Sequence, residues 1–457
     1  MNNDRQHVLA NEGIRKLLWK FSLPAGVGMF VMALYNVVDT AFVGRAVGPL
    51  AIAGLSIVFP IQMFAMSLGG MLGIGGASVI SRALGANNLD RAESTLGNLI
   101  TSAITVGIIM TSILFANSDF WLRILGATDT VMPYAFDYLT IVIWGTLFQV
   151  YVMSINNAAR AEGNATVAML TMVIGALTNI GLDALFIMKL GMGIRGAAIA
   201  TVIAQAVSCI YLTRYYFSGN STLKIHAKNL VIKLDIMREV IAIGVSSFVR
   251  MVSTSFIVVL LNRTVITLGG DIYLAAVGIV GRVSLFAIMP LIAVAQGLLP
   301  ILGFSYGAKR YDRSIDVTNI SIKVATVLSL IAFVTVFFFS EQIIGIFSND
   351  KTLVDIGSNV MKTIFLAWYL VGFQTVGSTV FQAIGKARPA FLTSIARQIM
   401  FLLPLLIILP KVLGLNGVWI AYPIADGIAF AFTLALFLSQ MREFKAQRIH
   451  MEGSYHT

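Results

Sequence analysis

Apolar runs of about twenty residues recur so regularly along this 457-residue chain that twelve can be marked off, and no other feature limits its fold as tightly. They lie near 17–43, 50–76, 95–116, 134–156, 165–188, 196–217, 240–266, 273–301, 317–339, 359–383, 390–410 and 416–440. As a helix rising ~1.5 Å per residue, a run of this length matches the ~30 Å hydrocarbon core of a bilayer. Within lipid only helices and closed barrels satisfy every backbone N–H and C=O internally. Barrel strands alternate apolar and polar residues over about ten positions, which these runs do not do. The chain therefore reads as an all-α polytopic membrane protein with twelve transmembrane helices. Its 12% charged share is roughly half the ~25% that coats a soluble domain, and its mean hydropathy is +0.86. A soluble enzyme, a disordered protein and a secreted disulfide scaffold are excluded. The lone Cys209 leaves no disulfide framework and no cysteine-based metal site. No cleavable signal peptide is expected, because the polar start through Arg15-Lys16 leads straight into a long span.

An even number of spans returns both termini to one side. Arg45, Arg123, Lys189, Arg195, Arg263, Lys351 and Lys411 are all the basic residues that flank one face. A much larger set flanks the other, running from Arg15, Lys16 and Lys20 through Arg82, Arg91, Lys309, Arg310 and Arg313 to Lys445 and Arg448. Positive charge accumulates on the cytoplasmic side, so both termini are expected there. The excess of 32 Lys+Arg over 21 Asp+Glu is thus a loop signal, and no nucleic-acid partner is expected. The longest polar stretch, 218–239, carries Lys224, His226, Lys228, Lys233 and Arg238 and falls at the midpoint. It reads as a cytoplasmic linker between an amino-terminal lobe, 1–217, and a carboxy-terminal lobe, 240–457.

The halves repeat at an offset of about 222 residues. Leu84-Gly85-Ala86-Asn87-Asn88-Leu89-Asp90-Arg91 aligns with Tyr306-Gly307-Ala308-Lys309-Arg310-Tyr311-Asp312-Arg313, and Gly163-Asn164-Ala165 aligns with Gly385-Lys386-Ala387. Gly196-Ala197-Ala198-Ile199-Ala200 answers Gly417-Val418-Trp419-Ile420-Ala421. Six spans per copy give parallel repeats about an axis along the membrane normal, two pseudo-symmetric six-helix lobes with a cleft between them. That geometry suits alternating access and points to a transporter.

The acids are not doubled with the scaffold. Asp39 sits in span 1 and Asp183 in span 5, whereas the corresponding positions in the second half hold Leu260 or Leu261, and Leu405. A carboxylate at membrane depth costs at least about 2.5–3.5 kcal/mol, so it marks a functional position. Met29, Met32, Tyr35, Asn36 and Asp39 recur at helical spacing along one stripe of span 1. Met169, Met172, Ala176, Asn179 and Asp183 do the same on span 5. Asn179 and Asp183 are an i,i+4 pair, and Thr201 on span 6 can face them. Asp39, Asn179, Asp183 and Thr201 make an all-oxygen set suited to Na⁺ or to a shared proton, and poorly suited to a soft transition metal. Burial and mutual repulsion disfavour two simultaneous charges, so one carboxyl group is expected to load and release a proton. Met29, Met32, Tyr35, Asn36, Asn156 and Met172 are the candidate substrate-cavity residues, methionine adapting well to varied apolar shapes. Pro24, early in span 1, removes a backbone hydrogen bond and permits a bend. Asp426, Arg250, Arg282 and Arg397 are the intramembrane charges of the second half; Asp426 is expected to pair with one of the arginines.

Tyr35-Asn36-Val37-Val38-Asp39-Thr40-Ala41-Phe42-Val43-Gly44 resembles the first-helix signature of the multidrug and toxic compound extrusion (MATE) family, and the Gly-Ala-x-x-x-Asp-Arg stretches after spans 2 and 8 resemble its repeat loops. The resemblance covers essentially the whole chain and is greatest to the bacterial MepA and DinF branches. It implies a cation-coupled antiporter in a bacterial inner membrane that expels lipophilic, often cationic drugs and dyes, without a cofactor, as a monomer. It also implies that the amino-lobe cation site falls on Asp39, Asn179, Asp183 and Thr201, that Pro24 is the bending proline, and that Tyr35 stands near drug and proton. NorM-type members carry acids on spans 7 and 10, where this chain has Arg250 and Gln374, so coupling is expected in the amino lobe.

Two rivals remain at this stage. A lipid-linked oligosaccharide flippase of the same superfamily would use Arg250, Arg282 and Arg397 against pyrophosphate. An intramembrane aspartyl protease would also need two membrane aspartates, but Asp183 follows Gly181-Leu182 where those enzymes show Gly-x-Gly. HExxH, GxSxG and Walker motifs do not occur, so hydrolysis and ATP-driven pumping lack support. Asn220-Ser221-Thr222 matches a glycosylation acceptor on the expected cytoplasmic side and is read as chance. H⁺ and Na⁺ stay equal candidates for the coupling ion.

Overall fold

A computed structural model describes residues 2–454 and the side chains of residues 6–451. Among the described residues, twelve helices are long and apolar enough to cross a membrane, and no strand occurs. They are α1 Ile14–Ala46, α2 Pro49–Gly85, α3 Leu89–Ala116, α4 Met132–Ala161, α5 Ala165–Lys189 and α6 Gly193–Phe217 in the first half. The second half contains α7 Leu234–Gly269, α8 Asp271–Gly307, α9 Tyr311–Gly345, α10 Lys351–Ala383, α11 Ala387–Leu413 and α12 Leu415–Met451. Most are longer than the apolar runs, because each continues past the hydrocarbon depth into polar turns. The largest extensions are at α9 and α12; α10 begins at Lys351 and breaks into a 3₁₀ turn at Trp368–Leu370 before resuming at Val371. Large apolar side chains such as Trp19, Phe30, Phe120, Trp144 and Phe338 lie exposed on the protein surface, where only lipid would make them comfortable.

The repeat is written into the backbone. Gly48, before α2, and Gly270, before α8, take positive φ of 110° and 76°, which L side chains rarely adopt. After α2 and α8 the chain turns through Asn87 (φ 57°) and Lys309 (φ 55°), the two non-glycine residues at positive φ among the described residues. The turn bonds correspond one for one: Asn88 N donates to the Ala83 carbonyl at 2.8 Å, and Arg310 N to the Ser305 carbonyl at 2.9 Å. Span 5 and its counterpart α11 each contain a π-helical turn, Ala184–Lys189 and Ala396–Leu402.

The chain gathers into two compact units. The first holds Leu23–Phe248 with the N-terminal helix Asn2–Asn11; the second holds residues 249–454 with Gly13–Ser22. In the first unit the polar stretch after α6 is tied down by buried side chains. Glu162, fully buried in the α4–α5 turn, accepts from the Ser221 hydroxyl (2.6 Å), Thr222 N (3.0 Å), Leu223 N (3.2 Å) and the Tyr215 hydroxyl. Asn98 of α3 donates to the carbonyls of Asn229 and Val231, both at 3.1 Å, and accepts from Lys233 N at 2.6 Å. The first turns of α7 close the same face, Glu239 receiving Arg82 at 2.8 Å and Arg91 at 2.7 Å. In the second unit Arg397 of α11 forms an ion pair with the buried Asp426 of α12.

Candidate functional site

Helix α1 runs unbroken through Pro24 and carries Asp39 in its seventh turn, at a depth where α5 approaches it. The approach needs a glycine: a Cβ on Gly28 would meet the Met172 sulfur at 2.7 Å and the Met169 Cα at 3.7 Å. With that side chain absent, the two helices close until Asp39 and Asp183 face each other within hydrogen-bonding reach. Asp183 is the last α-helical residue of α5 before the π-helical turn at Ala184. Such turns re-aim side chains and interrupt the regular bonding of the helix.

Both acids are withdrawn from the surface, Asp39 at 8% exposure and Asp183 at 0%. Asn179 (2%) and Thr201 (6%) stand beside them, the Asn179 amide donating to the Thr201 hydroxyl at 3.4 Å. The four residues selected by spacing are thus one cluster, drawn from α1, α5 and α6 of a single unit. Tyr35 lies one turn before Asp39, close enough to feel both carboxyl groups. Two neighbours were not legible beforehand. Tyr138 of α4, 3% exposed, sits within hydrogen-bonding reach of Thr201 and of Gln62 on α2, and near Asp39. Five of the six spans of the first unit therefore contribute to one polar pocket.

The pocket's hydrogen bonds do not balance. One oxygen of Asp39, the amide oxygen of Asn179 and both oxygens of Asp183 are buried with no donor. Ionised carboxylates only accept, so two of them facing each other cannot bond without a proton or a cation between them. Leaving one buried polar group unsatisfied costs about 1–3 kcal/mol, and more if it is charged. Four acceptors converging without a donor make a site that favours a small positive species. Their oxygen character fits H⁺ or Na⁺ equally, and no group of three or more His, Cys, Asp or Glu able to hold a metal occurs among the described residues.

The candidate cavity residues are more dispersed. Met29, Met32, Tyr35 and Met172 are half-buried, and Asn36 is exposed on α1 with its amide donating to the Met32 carbonyl at 2.8 Å. Asn156 is buried on α4 and engaged elsewhere: its amide donates to the Ala168 carbonyl at 2.8 Å, and its oxygen accepts from Arg160 at 2.7 Å. It braces α4 against α5, and its side chain is taken up by that role.

The second unit handles its buried charge differently. Asp426, 1% exposed, takes Arg397 Nε and Nη2 on its two oxygens, while Gln374 Nε2 donates to the Asp426 backbone carbonyl at 2.8 Å. The Arg397 guanidinium also stands 5.8 Å from the centre of the Trp368 ring. Arg250 is partly buried on α7, and Arg282 is exposed.

Residues 24–185 and 246–408 both match the MatE family model, two copies in register with the repeat. The multidrug export protein MepA of Staphylococcus haemolyticus (strain JCSC1435) is 26% identical over 438 residues, 96% of each chain. That of Staphylococcus aureus (strain MRSA252) is 24% identical over 443 residues, 97% of this chain and 98% of its own. Among solved structures, a MATE protein in the bent conformation superposes with a TM-score of 0.91 at 25% identity, covering 97% of this chain and 98% of its own. An outward-facing multidrug resistance MATE transporter of the MOP superfamily gives 0.89 at 26%, covering 96% and 98%.

Proposed function

The chain belongs to the MatE family of multidrug efflux transporters, and from that premise we propose that it is an antiporter exchanging a lipophilic, often cationic compound for an incoming H⁺ or Na⁺. The observation that carries this reading is the set of four donorless oxygens on Asp39, Asn179 and Asp183. An ion entering that set relieves the repulsion between the carboxylates and satisfies acceptors that otherwise have nothing to bind. The conformer that holds the ion is stabilised over the one that does not, which is the differential affinity that alternating access requires. Tyr35 and Tyr138, beside the acids, complete the coupling site; Met29, Met32, Asn36 and Met172 form the adaptable part of the substrate surface, with Pro24 permitting α1 to bend.

The energetics are adequate. One elementary charge moving down a 100 mV potential releases about 2.3 kcal/mol, enough to hold roughly a fiftyfold gradient of a neutral substrate. We place the working protein in the bacterial inner membrane as a monomer, and the lysine and arginine distribution supports both termini being cytoplasmic. The test is dye efflux from proteoliposomes under a pH gradient and a Na⁺ gradient applied separately. One of the two should drive efflux, and Asp183→Asn should abolish it without loss of protein. A variant pumping at the wild-type rate would overturn the assignment.

A further inference from the structure

The loop between the second and third spans of each repeat keeps one backbone and changes its chemistry. In the first copy the tip is Asn87-Asn88, and Asn88 caps α3 by accepting from Arg91 N at 2.9 Å. In the second copy the tip is Lys309-Arg310, and Arg310 supplies no side-chain cap to α9. Two neutral amides have become two cations on the same left-handed turn. Beside this second tip lies a shallow, solvent-open cavity of about 370 Å³, lined by Lys309, Tyr311, Ala446, Gln447, His450 and Met451, between the loop and the last turns of α12.

The lining is two-natured. Lys309 and His450 offer nitrogen donors, while Tyr311, Ala446 and Met451 offer apolar surface. Arg442, Lys445 and Arg448 follow on the same stretch of α12. Asp312, Asp316, Glu443 and Glu452 are outnumbered along these stretches by Lys309, Arg310, Arg313, Lys386, Arg442, Lys445 and Arg448, which leaves the balance positive. Glu443 is bonded to Lys386 and receives Gln447 Nε2 at 3.5 Å on its other oxygen. Asp312 is exposed on the first turn of α9, among Lys309, Arg310 and Arg313. A positively charged hollow with an apolar wall, at the end of membrane-spanning helices, matches an amphiphile whose head is anionic. We propose that this cavity binds the phosphate-bearing headgroup of an anionic phospholipid, Lys309 and His450 meeting the phosphate while Tyr311 and Met451 cover the glycerol end. On the orientation proposed above the lipid belongs to the cytoplasmic leaflet. The site stands whether or not the carboxylate pair couples transport.

The full-length protein in phosphatidylcholine nanodiscs doped with phosphatidylglycerol tests this, retained lipid being counted by native mass spectrometry. Phosphatidylglycerol should be retained over phosphatidylcholine, and less so as salt rises. Lys309→Asn removes the charge yet tolerates the left-handed turn, as Asn87 does in the first copy. It should weaken retention about fivefold, the contribution of one basic side chain at an anionic surface. His450→Gln added to it should weaken retention further. Lys445→Gln, an equal loss of charge outside the lining, should weaken retention less than Lys309→Asn does. Equal retention of the two lipids, or equal effects of Lys309→Asn and Lys445→Gln, would overturn the site. Displacement of phosphatidylglycerol by inorganic phosphate alone would overturn the lipid as occupant.

Discussion

The two units carry buried carboxylates under opposite arrangements. In the first, Asp39 and Asp183 face each other with no basic side chain among the described residues acting on them, and four oxygens of the cluster lack donors. In the second, Asp426 is held on both oxygens by Arg397, and its backbone carbonyl is held by Gln374. A carboxylate with a permanent counter-charge has no need of a mobile one. A pair of carboxylates without one depends on whatever small cation the solution supplies. One scaffold, used twice, therefore yields a charge-neutral brace in one copy and, in the other, a pocket of unpaired acceptors that we propose answers to an ion.

Moving the second unit's solution into the first is the most severe way to probe that contrast. Asn179→Lys places a cation one helical turn from Asp183. Gradient-driven dye efflux should fall to background while the purified protein melts no lower than wild type. Efflux at the native rate would mean that the missing counter-charge is irrelevant. Next in size, Arg397→Gln strands Asp426 without its partner, and breaking a buried pair this way costs about 3–5 kcal/mol. The melting temperature should drop sharply, and the double variant Arg397→Gln with Asp426→Asn should recover most of it. A double variant as unstable as the single one would show that the pair is more than a brace.

Smaller effects sharpen the comparison within the first unit. Glu162→Gln loses the charge that gathers four donors from α6 and the segment after it. Charge-assisted bonds are worth about 1.5–3 kcal/mol. Limited proteolysis within 218–233 should accelerate, with efflux under saturating gradient less affected than by Asn179→Lys. Smallest, Tyr138→Phe deletes one hydroxyl between Thr201 and Gln62, worth about 0.5–1.5 kcal/mol. Efflux should slow by several-fold and keep its ion dependence, as measured under the gradient that drives the wild type.

The contrast also separates what could be read along the chain from what could not. A charge inside an apolar run is conspicuous, so Asp39, Asp183, Asp426 and Arg397 were each visible; helical spacing brought Asn179 with them, and the short connection into span 6 brought Thr201. Tyr138 and Gln62 were not, because a tyrosine and a glutamine in long spans look like ordinary interface and packing residues until a neighbour is known. Glu162 was hidden for a different reason: it lies in a short polar turn where an exposed acid is the common case, yet it is fully buried under the segment that follows α6. Asp426 was expected to meet an arginine; its partner being Arg397, and not Arg250 or Arg282, depends on how α11 and α12 pack.

Linear order determined the twelve spans, the doubled plan and the placement of two unmatched acids in the first half, because hydrophobic length, backbone satisfaction in lipid and the cost of a buried charge act on each segment independently. Only the tertiary structure decided that those acids share one pocket. Their approach rests on Gly28 admitting Met172 across two helices that are distant in sequence, and the oxygens so gathered are left without donors. Contacts and missing contacts of this kind belong to packing, which no single stretch of residues contains.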